Sequence, residues 1–168
     1  MCCVTGVASR AAAQEFSLES AGVRFGFPAK GASDGFRSAE GFLDCNLPVS
    51  WQLGNNFLIK TRMDFTVGWL EGGGEDAATA SVGPTFVLRY KDVPLSLEGG
   101  SSSTLLSRHE FGGQNLGGPF QFNTHIGLSW DMTRRWRLGY RYDHISNAGI
   151  YRANPGLNLH TFGMSYVF

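Results

Sequence analysis

A histidine and a serine stand two residues apart near the C-terminus, at His144 and Ser146. Residues two apart on a β-strand share a face with Cβ atoms about 6–7 Å apart, so the imidazole can reach the hydroxyl. A serine activated by a neighbouring base can attack an ester carbonyl. The same two side chains also fit a strand that has reached the polar headgroup region of a membrane. The pair therefore indicates nucleophilic catalysis only if its surroundings agree.

An alternation of apolar and polar residues predicts that this pair lies at the end of a β-strand. The preceding positions of the same parity are all apolar: Trp136, Leu138, Tyr140 and Tyr142. The same period of two runs along residues 57–69 and 120–130. Weaker versions cover residues 23–27, 43–49, 82–90 and 93–97, and a last strand ends at Phe168, so we expect eight strands. No apolar run approaches the roughly 20 residues of a membrane-spanning helix.

Alternation alone leaves a soluble β-sandwich and a membrane β-barrel open, and three features favour the barrel. Connections alternate between short ones, at residues 54–56, 91–92 and 131–134, and long ones, at 29–35, 71–76 and 99–118. Trp51, Trp130 and Trp136 fall beside the short turns, as an aromatic girdle would. The chain ends on Phe168 with an aromatic strand face, which resembles the terminal strand of outer-membrane barrels. We therefore predict an all-β, eight-stranded antiparallel transmembrane β-barrel of the outer-membrane type.

The N-terminal residues predict a boundary near Gln14. The small residues Ala11 to Ala13 resemble a signal peptidase site, so residues 1–13 are interpreted as the remnant of a secretory signal and residues 14–168 as the barrel. An ordinary unstructured terminus is the alternative. Cys45 is then the one cysteine left, which excludes an internal disulfide from this segment.

The charge pattern narrows the classes of function. Fourteen basic residues balance 14 acidic ones, so we expect no nucleic-acid partner. The charges on the inward face should pair inside the barrel: Lys60, Arg62, Asp64, Arg89, Glu98, Arg137, Arg141 and Asp143. His109, Glu110 and His125 lack further ligands at metal spacing, so we predict no metal site.

Residues 142–150, which read YDHISNAGI, and 154–158, which read NPGLN, resemble the lipid A 3-O-deacylase (PagL) family of outer-membrane enzymes. The resemblance implies an esterase in the bacterial outer membrane whose substrate is the lipid A of lipopolysaccharide. It implies that Ser146 is the nucleophile and His144 its general base. Asn147, Asn154 and Gly149 are then candidates for polarising the substrate carbonyl and binding its oxyanion, although residues 154–156 also fit a plain turn.

This mechanism needs no cofactor. The expected partners are lipid A and outer-membrane lipid, with a homodimer left as a possible assembly.

The sequence departs from the family pattern at Asn158, where the family has a glutamate twelve residues beyond the serine. Counting back by twos from Phe168 places Asn158 on the outward face, in the strand next to His144. Its amide oxygen can then orient the imidazole, although replacing the acid of a serine triad by Asn costs about 10⁴ in kcat. Asp143 points into the barrel and is not expected to substitute. The alternative function is a non-catalytic outer-membrane barrel with a structural or binding role.

Overall fold

The computed structural model describes residues 9–10, 16–29 and 35–168. Most of the predicted signal remnant, with Cys2, Cys3 and the proposed boundary at Gln14, lies outside the described residues. The short strand Ser9–Arg10 pairs through its backbone with residues 51 and 52. No helix in the described part of the chain is long and apolar enough to cross a membrane.

Eight long strands form a closed barrel, as predicted. In chain order they are β1 (Ser17–Pro28), β2 (Arg37–Leu53), β3 (Phe57–Gly72), β4 (Glu75–Tyr90), β5 (Leu95–Leu106), β6 (Phe120–Asp131), β7 (Trp136–Ser146) and β8 (Leu157–Val167). Each strand pairs antiparallel with the next, and β8 pairs antiparallel with β1. The barrel therefore has no free sheet edge, which a bilayer would not tolerate.

Two connections differ from the predicted long loops. β3 and β4 continue to a turn of two glycines, Gly73 and Gly74, both with positive φ (58° and 81°). Residues 99–106 belong to β5, so this loop spans only residues 107–119 and contains the small hairpin Glu110–Phe111 with Gln114–Asn115. Both stretches are rich in Gly, Ala and Ser, which carry little apolar contrast. The alternation was therefore too weak to reveal the strands.

The outward face of the barrel is apolar and ends in aromatic residues at the short-turn side. Exposed outward residues include Val23, Phe25, Phe65, Val67, Phe86, Leu97, Ile126, Leu128 and Phe162. Trp136 packs edge-on against Tyr166, with ring centroids 5.6 Å apart, and Phe57 packs in the same way against Tyr90 at 5.0 Å. A wide exposed apolar band with aromatic residues at its border fits a barrel inserted in a bilayer.

Charged side chains fill the middle of the barrel. The Asp64 carboxylate accepts hydrogen bonds from Arg24 at 2.7 Å and from Arg141 at 2.9 Å, and Arg141 also donates to Glu98 at 2.6 Å. Six of the eight predicted inward charges form ion pairs: Arg62, Asp64, Arg89, Glu98, Arg137 and Arg141. Among the described residues, ion pairs do not include Lys60 or Asp143.

The two ends of the barrel differ. At the loop end, buried apolar side chains form a plug: Phe36, Leu70, Ala77, Leu106, Phe111, Leu116, Ile145, Leu157 and Leu159. At the short-turn end, a vestibule of about 1120 Å³ opens between Lys60, Arg89 and Arg134. Ile145 and Leu157 point into the plug, so the ends of β7 and β8 are supported from inside while their alternate residues face outward.

Candidate active site

His144 and Asn158 face outward at the loop ends of β7 and β8. They are direct cross-strand partners. The parity count had predicted their shared outward face on neighbouring strands. The His144 Nδ1 atom lies 2.8 Å from the Asn158 Oδ1 atom. Because an amide oxygen only accepts, this contact places a proton on Nδ1 and leaves the Nε2 lone pair free. Asp143 is buried inside the barrel, as expected.

Ser146 is the last residue of β7 and lies opposite Phe122 of β6. It is half-buried and shares the outward face with His144. Among the described residues, no hydrogen bond joins the Ser146 hydroxyl to the His144 ring. Contacts between a nucleophile and its base are often long without substrate and shorten in the reactive complex. The Ser146 hydroxyl and the His144 ring are therefore adjacent on the outward face but are not hydrogen-bonded to each other.

Gly156 limits the space around the imidazole. A Cβ atom at this position would lie 3.1 Å from His144 Cε1, and the residue has a φ of +69°. Any other side chain would therefore press on the ring and strain the backbone. The sequence showed this residue only as part of an Asn-Pro-Gly turn, so its contact with the histidine was not predicted.

Asn147 is completely buried, and its side chain holds two loops together. Its Nδ2 atom donates to the carbonyl oxygens of Leu116 at 2.9 Å and Ala153 at 2.7 Å. Its Oδ1 atom accepts from the Gly149 N–H at 2.9 Å. Both amide protons are thus used within the protein, and the predicted contact of this side chain with the substrate carbonyl stays a prediction.

Asn154 lies exposed beside the nucleophile. Its Oδ1 atom accepts from the backbone N–H of Asn147, the residue after Ser146, at 3.1 Å. Within the described chain, its Nδ2 atom makes no hydrogen bond. Ala148 has a positive φ of 50°, which is uncommon for a residue other than glycine, and its N–H is likewise unbonded in that part of the chain. Two free donors therefore lie close to Ser146. One is the Ala148 N–H, two residues along the chain, and the other is Asn154 Nδ2, whose carboxamide is hydrogen-bonded to the residue after Ser146.

A second outward histidine lies one position further into the barrel wall on β8. His160 Nδ1 is 3.0 Å from the Tyr140 hydroxyl, and its ring packs against Tyr142 with centroids 5.5 Å apart. The sequence analysis did not single out His160, because nothing in the sequence indicated its tyrosine partners. Over the described residues, no group of three or more His, Cys, Asp or Glu side chains could hold a metal ion.

Comparisons with known proteins agree with this fold. The family model described as Lipid A 3-O-deacylase (PagL) matches residues 39–167. The chain is similar to a lipid A deacylase PagL of Bordetella bronchiseptica, with 42% identity over 137 residues, 75% of this chain and 74% of that protein. A lipid A deacylase PagL of Pseudomonas aeruginosa is 30% identical over 112 residues, 64% of this chain and 65% of that protein.

Solved structures show the same architecture. The crystal structure of the outer membrane enzyme PagL superposes with a TM-score of 0.76 and 22% identity, covering 87% of this chain and 97% of that one. Neisserial surface protein A superposes with a TM-score of 0.51 and 12% identity, covering 94% of this chain and 100% of that one. At these identities the likeness concerns the fold, which is that of an outer-membrane barrel.

Proposed function

The chain belongs to the lipid A 3-O-deacylase (PagL) family of outer-membrane enzymes, and from this membership we propose that it removes the 3-O-linked acyl chain of lipid A with Ser146, His144 and Asn158. The observation that carries this proposal is the 2.8 Å contact between His144 and Asn158 on the lipid face. A histidine held in one tautomer beside a serine is what a serine esterase requires.

The reaction proceeds through an acyl-enzyme. The Ser146 oxygen attacks the ester carbonyl while His144 Nε2 takes the hydroxyl proton. The tetrahedral intermediate collapses, and the imidazolium gives this proton to the departing sugar oxygen. A water molecule, deprotonated by His144, then attacks the acyl-serine. The fatty acid leaves, and the proton returns to Ser146.

Two donors support the proposal by their position around the developing oxyanion. The Asn154 carboxamide is held by the Asn147 backbone, so its free Nδ2 can donate to the tetrahedral oxygen. The Ala148 N–H is the second donor in this assignment. Gly149, with a φ of +83° and its N–H bound to Asn147, shapes the turn that presents them.

Asn158 limits the rate of ester hydrolysis that we expect from this site. A neutral amide can orient the imidazole but does not offset the positive charge that forms on it in the transition state. We therefore infer a slow esterase. The site lies on the outer wall of the barrel, so the substrate reaches it sideways from the outer leaflet.

The proposal is tested by mass spectrometry of lipid A from Gram-negative cells that express the chain behind a complete signal peptide. Loss of one acyl chain is expected with the native chain and not with Ser146→Ala. Ser17→Ala, at the other end of the barrel, is the matched control and should behave like the native chain. Unchanged lipid A in all samples, with the barrel present in the outer membrane, would favour a non-catalytic structural or binding role.

A further inference from the structure

Hydroxyl side chains interrupt the apolar outward face of β5 and β6, where Ser101, Ser103 and Thr124 are exposed. Ser101 and Thr124 are both exposed on this face, and their oxygen atoms are 3.0 Å apart. The other large outward residues of the two strands are apolar: Leu95, Leu97, Leu105, Phe120, Phe122, Ile126, Leu128 and Trp130. A polar side chain on a lipid-facing wall costs free energy, so its presence there indicates a function.

The strand register places these hydroxyls beside the proposed catalytic pair. Thr124 is the cross-strand partner of His144 on the side away from Asn158, and Ser101 is the partner of Thr124. A continuous row of polar residues thus crosses four strands, from Asn158 through His144 and Thr124 to Ser101. Neighbours in such a row have Cβ atoms about 4.5–5.5 Å apart.

The outward position of these hydroxyls is not explained by the strands having reached the polar headgroup region of the membrane. β6 begins at the loop end of the barrel, so Phe120 and Phe122 lie on the loop side of Thr124. β5 ends there, so Ser103 and then Leu105 lie on the loop side of Ser101. Phe120, Phe122 and Leu105 therefore lie between these hydroxyls and the loop end, and we expect the polar groups that they meet to come from a lipid inserted beside the barrel.

The free hydrogen-bond donors and acceptors of Ser101 and Thr124 indicate which lipid group can bind them. One of the two hydroxyls donates to the other, so one proton and the remaining lone pairs are left over. In the described part of the chain, neither hydroxyl has another hydrogen bond. The pair carries no charge, which suits a neutral partner that both donates and accepts better than a phosphate.

We propose that Thr124 and Ser101 bind the hydroxyl group of a hydroxyacyl chain while Ser146 attacks the ester at the end of that chain. This inference rests on the proposed function. Ser146 is the cross-strand partner of Phe122, so Thr124 is the diagonal neighbour of Ser146, with Cα atoms about 7–8 Å apart. A hydroxyl on the β-carbon of the acyl chain, close to the reacting carbonyl, fits between the two residues. The row makes the site selective for hydroxylated chains.

The test compares two glucosamine lipids that differ only in the hydroxyl group on the acyl β-carbon. The native barrel in detergent micelles should cleave the hydroxylated lipid with the higher kcat/KM. In the Thr124→Val, Ser101→Ala double variant, the ratio of the two kcat/KM values should fall by about three- to ten-fold. Ser103→Ala, which removes an exposed outward hydroxyl of β5 that lies outside the row, is the control and should keep the native ratio.

Two outcomes would overturn the inference. The first is an equal loss of kcat/KM for both substrates in the double variant, which leaves the ratio constant and would make Thr124 a support for His144. The second is that neither kcat/KM value changes. If the native barrel cleaves neither lipid, the proposed function fails, and native mass spectrometry of the Ser146→Ala barrel decides the subsite separately. The Ser146→Ala barrel is expected to retain the hydroxylated lipid preferentially, and this preference should be lost when Thr124→Val and Ser101→Ala are added to it. Equal retention of the two lipids by the Ser146→Ala barrel contradicts the subsite.

Discussion

Asn158 occupies the position at which the family resemblance in the sequence implies a glutamate. The amide keeps the geometry, since its oxygen lies 2.8 Å from His144 Nδ1. What it lacks is the negative charge that stabilises the imidazolium. The missing negative charge should therefore lower kcat, because the positive charge on the imidazole develops only during proton transfer.

Asn158→Glu should therefore increase kcat. We expect a gain of about 10- to 100-fold, part of the about 10⁴ that the opposite change costs in serine triads. Rates of fatty-acid release in detergent micelles measure it. Asn158→Ala, which removes the acceptor, should lower kcat below the native value. A glutamate variant no faster than the native chain would refute the assigned role.

Asn154 and Asn147 offer a matched pair of amide deletions. Asn154→Ala should lower kcat by about 10²-fold through loss of an oxyanion donor, with the thermal midpoint nearly unchanged. Asn147→Ala should lower both, because it leaves buried carbonyl and N–H groups of two loops unpaired, at about 1–3 kcal/mol each. Steady-state kinetics and thermal unfolding in detergent separate the two. Equal effects on stability would contradict the division of roles.

The loops at the active-site end act together through the apolar plug. Phe111 comes from the small hairpin in the 107–119 loop and packs edge-on against Phe36, with centroids 5.3 Å apart. Leu116 of the same loop accepts the Asn147 hydrogen bond through its carbonyl. The loop after β5 therefore helps to hold the loop after β7, although the two are distant in sequence.

Phe111→Ala should loosen both loops. Truncating a buried phenylalanine costs about 3–5 kcal/mol, and this loss should appear as faster amide hydrogen exchange in residues 107–119 and 147–156. Phe162→Ala, on the lipid face, is the control and should leave exchange in these loops unaltered. Faster exchange confined to the first loop would show that the loops are independent.

The barrel as a whole is held by two different surfaces, an apolar wall and a charged interior. Arg141 sits at the centre of the interior and binds both Asp64 and Glu98. Such networks are costly to desolvate, and they become strongly unfavourable when one partner is lost.

Arg141→Met should lower the free energy of unfolding by about 3–5 kcal/mol, because it leaves the buried carboxylates of Asp64 and Glu98 with one arginine partner each in place of two. Urea unfolding in lipid vesicles measures the change. Arg135→Met, in the exposed turn before β7, removes the same charge and should alter stability by less than about 0.5 kcal/mol. Equal values for the two variants would mean that the interior network is dispensable.

The sequence alone determined the strand count, the inward and outward faces and the outward position of His144, Ser146 and Asn158. It could do so because a side-chain period of two is a local property of the chain. Its weakest predictions fell where local contrast was low, as in the Gly- and Ser-rich part of β5.

Only the tertiary structure decided that Asn147 points inward to bind Leu116, that Gly156 confines the imidazole and that Ser101 and Thr124 extend the polar row. These facts depend on strand register and on loops that meet across the barrel mouth. Residues far apart in the chain set them, and no local pattern carries that information.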